Sequence, residues 1–176
     1  MEPKCVGDIM TPLEAFPYIP YWFTLRQALA EWEDTWLKSP DHKSIPWLIL
    51  VFSARNQLLG AVRHRDILPG LKTSLMPDRL RDHYSKASDE GVDLNLFRLS
   101  FTPQKASQEL TKQFERQIIE FMVPIQETVD YEDHALIALY LMIDQGLTFV
   151  PVVKDEQVAG LVYAEDVLLE VITHIL

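Results

Sequence analysis

The sequence predicts a mixed α/β (α+β) fold made of two small β-α-β-β-α units, and three observations predict it. The phrase "LLGAVRHRDIL" at 58–68 returns as "VAGLVYAEDVL" at 158–168, so that Gly60 matches Gly160 and Asp66 matches Asp166 at one constant offset. The same order of strand, helix, strand, strand and helix can be read around each copy. A chain of 176 residues with 48% hydrophobic content buries a sizeable core, as one domain or as two small ones. The expected organisation is a first unit over 1–68, a partly helical linker or insertion over 69–116, and a second unit over 117–176.

In the first copy the leader "IMTP" (9–12) runs into the extended "EAFPYI". Thr24 is a good N-cap with Gln27 three residues on, and it opens the helix "TLRQALAEWEDTWL"; Leu25, Ala28, Leu29, Trp32 and Trp36 share one face and leave the other wet. The strand "WLILVFS", the turn "ARNQ" and the strand "LLGAV" follow, and a short helical start is expected at "DIL". The 69–116 stretch is longer than a simple connection and has a polar middle around "SKASDEG". Within it, Thr102 as N-cap and Pro103 at the first helical position begin a helix that places Leu110, Phe114, Ile118 and Phe121 on one face.

In the second copy "FMVP" (121–124) leads to the extended "IQETV", the helix "DHALIALYLMIDQG", the strand "TFVPVV", the turn "KDEQ", the strand "VAGLVY" and the helix "EDVLLEVITHIL". Ala135 to Ile143 is apolar all round, which a surface helix is not without a partner on each face, so it reads as an interface helix. Each unit is too small to close a core alone, and the two are expected to bury their sheets against one another as a pseudo-twofold pair.

Composition narrows the function. No apolar run approaches the ~20 residues of a membrane span, and the start "MEPKCVGDIMTP" has neither the basic flank nor the apolar stretch of a signal peptide, so a cytoplasmic address is expected. Cys5 is alone, and His42, His64, His83, His134 and His174 have no spacing that forms a metal set with it; no metal and no required cofactor are expected. The net charge of -10 is uneven, at −1 over 1–68, 0 over 69–120 and −9 over 121–176. Such a C-terminal surface repels a phosphate backbone and no basic stripe appears elsewhere, which argues against nucleic acid as a partner. There is no nucleophile elbow, P-loop, metal triad or Gly-rich fingerprint, so no catalytic residue is assigned and an enzyme is the weakest of the function classes.

The run "VGDIMTP", the "TLRQAL" helix, the apolar strand, the turn and "GAVRHRDIL" together resemble the CBS domain, and "FMVP", "VPVV" and "GLVYAEDVL" resemble it more closely. Two copies in this order resemble the tandem pair called a Bateman module, over nearly the whole chain except 69–116. The resemblance implies a regulatory module that binds AMP, ADP, ATP or S-adenosylmethionine in clefts between the two copies. It also implies a homodimer through the helices and a separate effector protein. In that family a Thr or Ser three positions after the glycine lies near the phosphate, and the Asp three positions later holds both ribose hydroxyls. A carboxylate can accept two hydrogen bonds, and a helix N-terminus favours an anion. Carried over, the resemblance makes Asp66 and Asp166 ribose ligands, lines Thr148, Phe149 and Pro151 up with the strand that contacts the adenine, and adds Pro12 of the first leader to the set.

Both copies depart from the pattern at the hydroxyl position, which is Arg63 in the first and Tyr163 in the second. Arg63 with His64 and Arg65 can replace the hydroxyl by charge, because a guanidinium pairs bidentately with phosphate; the alternative is a solvated strand end. Tyr163 and Glu165 cannot, so the second site is expected to prefer an uncharged or cationic adenosine ligand such as S-adenosylmethionine, and the first an anionic nucleotide. Asp66 and Asp166 are alternatively helix N-caps, the glycines relief for crowded strands, and Met10 and Met122 core fillers. A pair that has lost its ligand and serves as a dimerisation or interaction scaffold is the other function class.

Overall fold

A computed structural model describes residues 4–38, 47–78, 80–81 and 93–175; "SKASDEG", His42 and His83 lie outside them. The chain divides into two compact units that do not follow the expected boundaries: residues 1–17 join 124–176, and residues 18–123 form the other. Split this way, the charge is more lopsided still, at −11 for the first and +1 for the second.

The unit of 1–17 and 124–176 holds a four-stranded sheet in the order β1 (Thr11–Pro12), β8 (Gln157–Tyr163), β7 (Phe149–Lys154), β6 (Val129–Asp130). The β7–β8 hairpin is antiparallel and turns through Asp155 and Glu156, both at positive φ, as a two-residue hairpin with the sheet's own twist requires. Parallel β6 and β7 are joined through the helix Ala135–Gln145, which ends on Gly146 in the left-handed conformation. The helix Ala164–Ile175 follows β8. Ala135, Ala138 and Met142 point into a core with Val129, Val150, Val152, Val162 and Val167.

Leader β1 lies antiparallel to β8, with Pro12 opposite Gly160. A Cβ on Gly160 would sit 2.3 Å from the Thr11 carbonyl oxygen and 2.9 Å from the Met10 sulfur, so the glycine is what lets the leader's backbone close on the strand. The other sheet repeats the device. Its order is β2 (Ile19–Pro20), β3 (Leu48–Phe52), β4 (Leu58–Arg63), β5 (Val123–Pro124), and a Cβ on Gly60 would meet the Val123 carbonyl oxygen at 2.4 Å and the Met122 side chain at 2.5 Å. Each leader therefore packs on the glycine strand of the other repeat, which is why the compact units exchange their first strands.

In the 18–123 unit the helix Leu25–Lys38 begins with the expected capping box: Gln27 N–H donates to the Thr24 hydroxyl and Thr24 N–H to the Gln27 carbonyl. Two expectations are corrected here and a third holds in part. The helix expected to start at "DIL" begins two residues earlier and runs for twelve residues, His64–Leu75, with Pro69 inside it. Thr102 is the N-cap of the helix Pro103–Phe114 and Pro103 its first residue, as expected, although the Thr102 side chain makes no cap bond. That helix stops at Phe114, and Ile118 and Phe121 reach the core from a separate 3-10 turn, Ile118–Phe121. The helix Pro103–Phe114 lies against His64–Leu75, so part of the insertion covers its own unit.

Candidate functional site

The two conserved-offset carboxylates stand at equivalent places, in the first turn of the helix after the second hairpin strand, yet their surroundings differ. Neither is the N-cap. For Asp66 the cap position is Arg63, and Asp66 accepts the Arg63 backbone N–H at 2.8 Å. The same carboxylate takes both arms of the Arg63 guanidinium, Nε to Oδ2 at 2.8 Å and Nη2 to Oδ1 at 2.9 Å. The pair is largely withdrawn from water, with side-chain exposures of 19% and 13%. Burial alone raises the Asp66 carboxyl, but the Arg63 hydrogen bonds and the charges of Arg63 and Arg65 outweigh it and hold the group below its ordinary value. The guanidinium assigned to a phosphate and the carboxylate assigned to a ribose thus satisfy one another.

At the other helix start no cation stands in the arginine's place. Asp166 has no hydrogen bond or ion pair among the described residues. Burial raises its carboxyl, and the neighbouring Glu165 raises it further. The Tyr163 hydroxyl is buried, in a residue only 6% exposed, and has no hydrogen-bond partner. Burial pushes its ionisation up, with Asp166 and then Glu165 adding to the effect. An unpaired carboxylate and an orphaned buried hydroxyl therefore lie within electrostatic reach of each other, a costly arrangement unless something polar arrives between them.

The strand candidates lie along β8, the strand that leads into this second carboxylate. Phe149 pairs in register with Tyr163, their rings 6.3 Å apart, and the Thr148 carbonyl accepts the Ala164 N–H at 3.0 Å. Pro151 is buried opposite Leu161, and Pro12 is exposed beside Gly160. In the 18–123 unit His64 and Arg65 are exposed, and His64 meets the Trp47 ring edge-on at 6.0 Å. Sequence reasoning missed Trp47, which holds the place of Thr148 in the other unit and whose ring lies 5.3 Å from that of Trp32. The register shows the equivalence, since Leu48 pairs with Arg63 as Phe149 pairs with Tyr163. Superposing "WLILVF" on "TFVPVV" would have found it.

Among the described residues no group of three or more His, Cys, Asp and Glu side chains converges to hold a metal ion, and no helix is long and apolar enough to cross a membrane.

Residues 118–173 match the family model of the CBS domain. A search of curated proteins finds no match to the chain. Solved structures with the same fold include the CBS-pair protein CBSX2 from Arabidopsis thaliana, at 16% identity over 98% of this chain and 96% of that one, with a TM-score of 0.60. CBSX2 in complex with AMP is similar at 17% identity over 98% of both chains, with a TM-score of 0.58. The CBS domain of a bacterial CNNM/CorC family Mg2+ transporter in complex with ATP is similar at 18% identity over 96% of this chain and 87% of that one, with a TM-score of 0.59. At these identities the likeness establishes a shared fold, the tandem CBS arrangement.

Proposed function

We propose that this chain, which has the fold of CBS pairs and matches the CBS family model over 118–173, is a regulatory sensor for an adenosine-containing ligand. Neighbours of this fold bind AMP and ATP, which supports the ligand class. One observation carries the choice of site. The Asp166 carboxylate has no partner and the Tyr163 hydroxyl beside it is buried and orphaned, whereas Asp66 is closed by Arg63. Ribose hydroxyls donating to Asp166, and a ligand polar atom meeting the Tyr163 hydroxyl, would satisfy both. This reverses the order that regional charge suggested, in which Arg63, His64 and Arg65 made the first carboxylate the better site. Arg63 is free to take a phosphate only if the Arg63–Asp66 pair opens first.

The acidic setting around Asp166 still acts on ligand choice. Glu165 adjoins it and the unit carries a net −11, so AMP or S-adenosylmethionine should bind ahead of ADP and ATP. The chain then signals to a separate partner protein in the cytoplasm, as a homodimer through its helices, and performs no chemistry itself. Support for the dimer lies in the helices Ala135–Gln145 and Ala164–Ile175, which pack together and leave Tyr140 71% exposed, Ile143 73% exposed, and Leu136, Leu169 and Ile172 exposed beside them.

A thermal-shift panel of AMP, ADP, ATP and S-adenosylmethionine tests this reading. Ligand at about a hundred times its dissociation constant should stabilise the fold by roughly 2.7 kcal/mol. A response led by ATP would point to the wrong carboxylate. No response to any of the four would favour the second reading, a scaffold that has lost its ligand, for which the self-satisfied Arg63–Asp66 pair is the supporting observation.

A further inference from the structure

The insertion that the repeat leaves over forms an open pocket of about 600 Å³ within the 18–123 unit, between the end of the helix His64–Leu75 and the start of the helix Pro103–Phe114. That volume suits a small molecule. Its wall has an apolar part, Leu75, Met76, Leu99 and Phe101. The charged part is Arg81, Lys105 and Asp78. Asp78 lies 3.6 Å from the Arg81 guanidinium and 3.8 Å from the Lys105 ammonium, too far for a hydrogen bond to either. Arg81 Nη2 donates to the Met76 carbonyl at 3.3 Å, but its Nε is buried without an acceptor. The other acid of the wall, Glu109, is held by Lys112. The helix Pro103–Phe114 opens onto the same space through Thr102 and Lys105, and because Thr102 makes no cap bond its first amides are uncapped.

Among the described residues donors outnumber acceptors here: Arg81, with its buried Nε–H, Lys105 and a helix N-terminus share one loosely held carboxylate. An unpaired buried donor is costly, and a helix start attracts negative charge, so an incoming acceptor gains from both. We propose that this pocket is a second ligand site, separate from Asp166, that takes a small organic anion. Its carboxylate or phosphate group meets Arg81, Lys105 and the helix start, and its apolar body lies against Met76, Leu99 and Phe101.

Met76 supplies the reporter, because Met10, Met122 and Met142 pack in the two cores and not in this wall. The full chain, labelled at its methionine methyl groups, is titrated with benzoate, phenyl phosphate and the neutral benzamide and followed by NMR. One or both anions should move the Met76 signal and leave the core methionines in place, while benzamide does not; whichever anion binds tighter tells a carboxylate ligand from a phosphate one. Lys105→Gln, on an exposed side chain whose loss leaves the fold intact, should weaken that binding about tenfold or more, and Arg81→Gln should do at least as much. The proposal is overturned if neither anion moves Met76 at millimolar concentration, if benzamide moves it equally, or if Lys105→Gln binds as the wild type does. Asp166→Asn should leave the Met76 titration unchanged, so failure at either site is told apart from failure at the other.

Discussion

Gly160→Ala puts the exchange of leader strands to the sharpest test. The added Cβ would stand 2.3 Å from the Thr11 carbonyl oxygen and 3.1 Å from the Thr11 carbonyl carbon, both backbone atoms that cannot rotate away. Ordinary contact needs about 3.5 Å, so β1 must retreat by roughly 1 Å. With only Thr11 and Pro12 in register, β1 has little pairing with which to resist. Overpacking of this kind costs about 1–3 kcal/mol, and the more restricted unfolded chain returns about 0.5–1 of it. A net loss of about 1 kcal/mol lowers the melting temperature by about 2–4 °C in a chain of this size. All 4 tryptophans, Trp22, Trp32, Trp36 and Trp47, lie in the 18–123 unit, so far-UV circular dichroism and not tryptophan fluorescence is the probe that follows the altered unit. Gly70→Ala is the control: its Cβ would meet only the edge of the Phe121 ring at 3.2 Å, and a helical glycine-to-alanine change is worth up to about 1 kcal/mol, so that variant should be neutral or more stable. A Gly160→Ala protein within about 0.5 kcal/mol of wild type would refute the close-approach account.

Asp66→Asn should cost about 2 kcal/mol at pH 7, because it leaves the half-buried Arg63 guanidinium without its counter-charge. Since the Asp66 carboxyl is held below 3.8, its contribution is complete above that value and disappears as pH falls through the lower folded one; urea unfolding of wild type and variant should therefore converge in acid. Tyr163→Phe removes a buried hydroxyl that has no partner and should raise unliganded stability by about 1 kcal/mol, measured by thermal unfolding, while shrinking the response to an adenosine ligand. The protein should be a dimer at micromolar concentration in light scattering, Ile143→Glu should make it a monomer, and added salt should tighten the dimer by screening the acidic units; a wild-type monomer contradicts this.

The repeat was readable because Gly60, Gly160, Asp66 and Asp166 are punctuation at one spacing, and the order of strands and helices followed from it. What stands in front of the glycines was not. The backbone that needs the space belongs to Met10–Thr11 for Gly160 and Met122–Val123 for Gly60, far away in sequence, so adjacency assigned each leader to the wrong unit. The capping box at Thr24 was legible because both partners lie three residues apart, whereas Thr102 has the right residue type and no bond. At the candidate site, regional charge treated Arg63 as a free cation. Charge sums do not record pairing, and the i,i+3 spacing of Arg63 and Asp66 at a helix start was the cue that they neutralise each other. Conversely, the acidic surround of Asp166 hid the fact that its carboxylate and the Tyr163 hydroxyl are both unused.

Calorimetric titration of AMP and of S-adenosylmethionine into wild type, Asp166→Asn and Asp66→Asn decides where the ligand sits. Burial and Glu165 raise the Asp166 carboxyl, so its charge is a burden that fades as pH falls through its raised value and is gone below 3.8. Asp166→Asn should thus be slightly more stable than wild type at pH 7, by a few tenths of a kcal/mol given solvent screening, and its failure to bind cannot be blamed on unfolding. At least one of the two ligands should bind wild type, lose about tenfold or more in affinity with Asp166→Asn through the lost charged hydrogen bonds, and keep most of its affinity with Asp66→Asn. Binding that survives in Asp166→Asn and vanishes in Asp66→Asn would contradict the assignment and return the site to the Arg63 side.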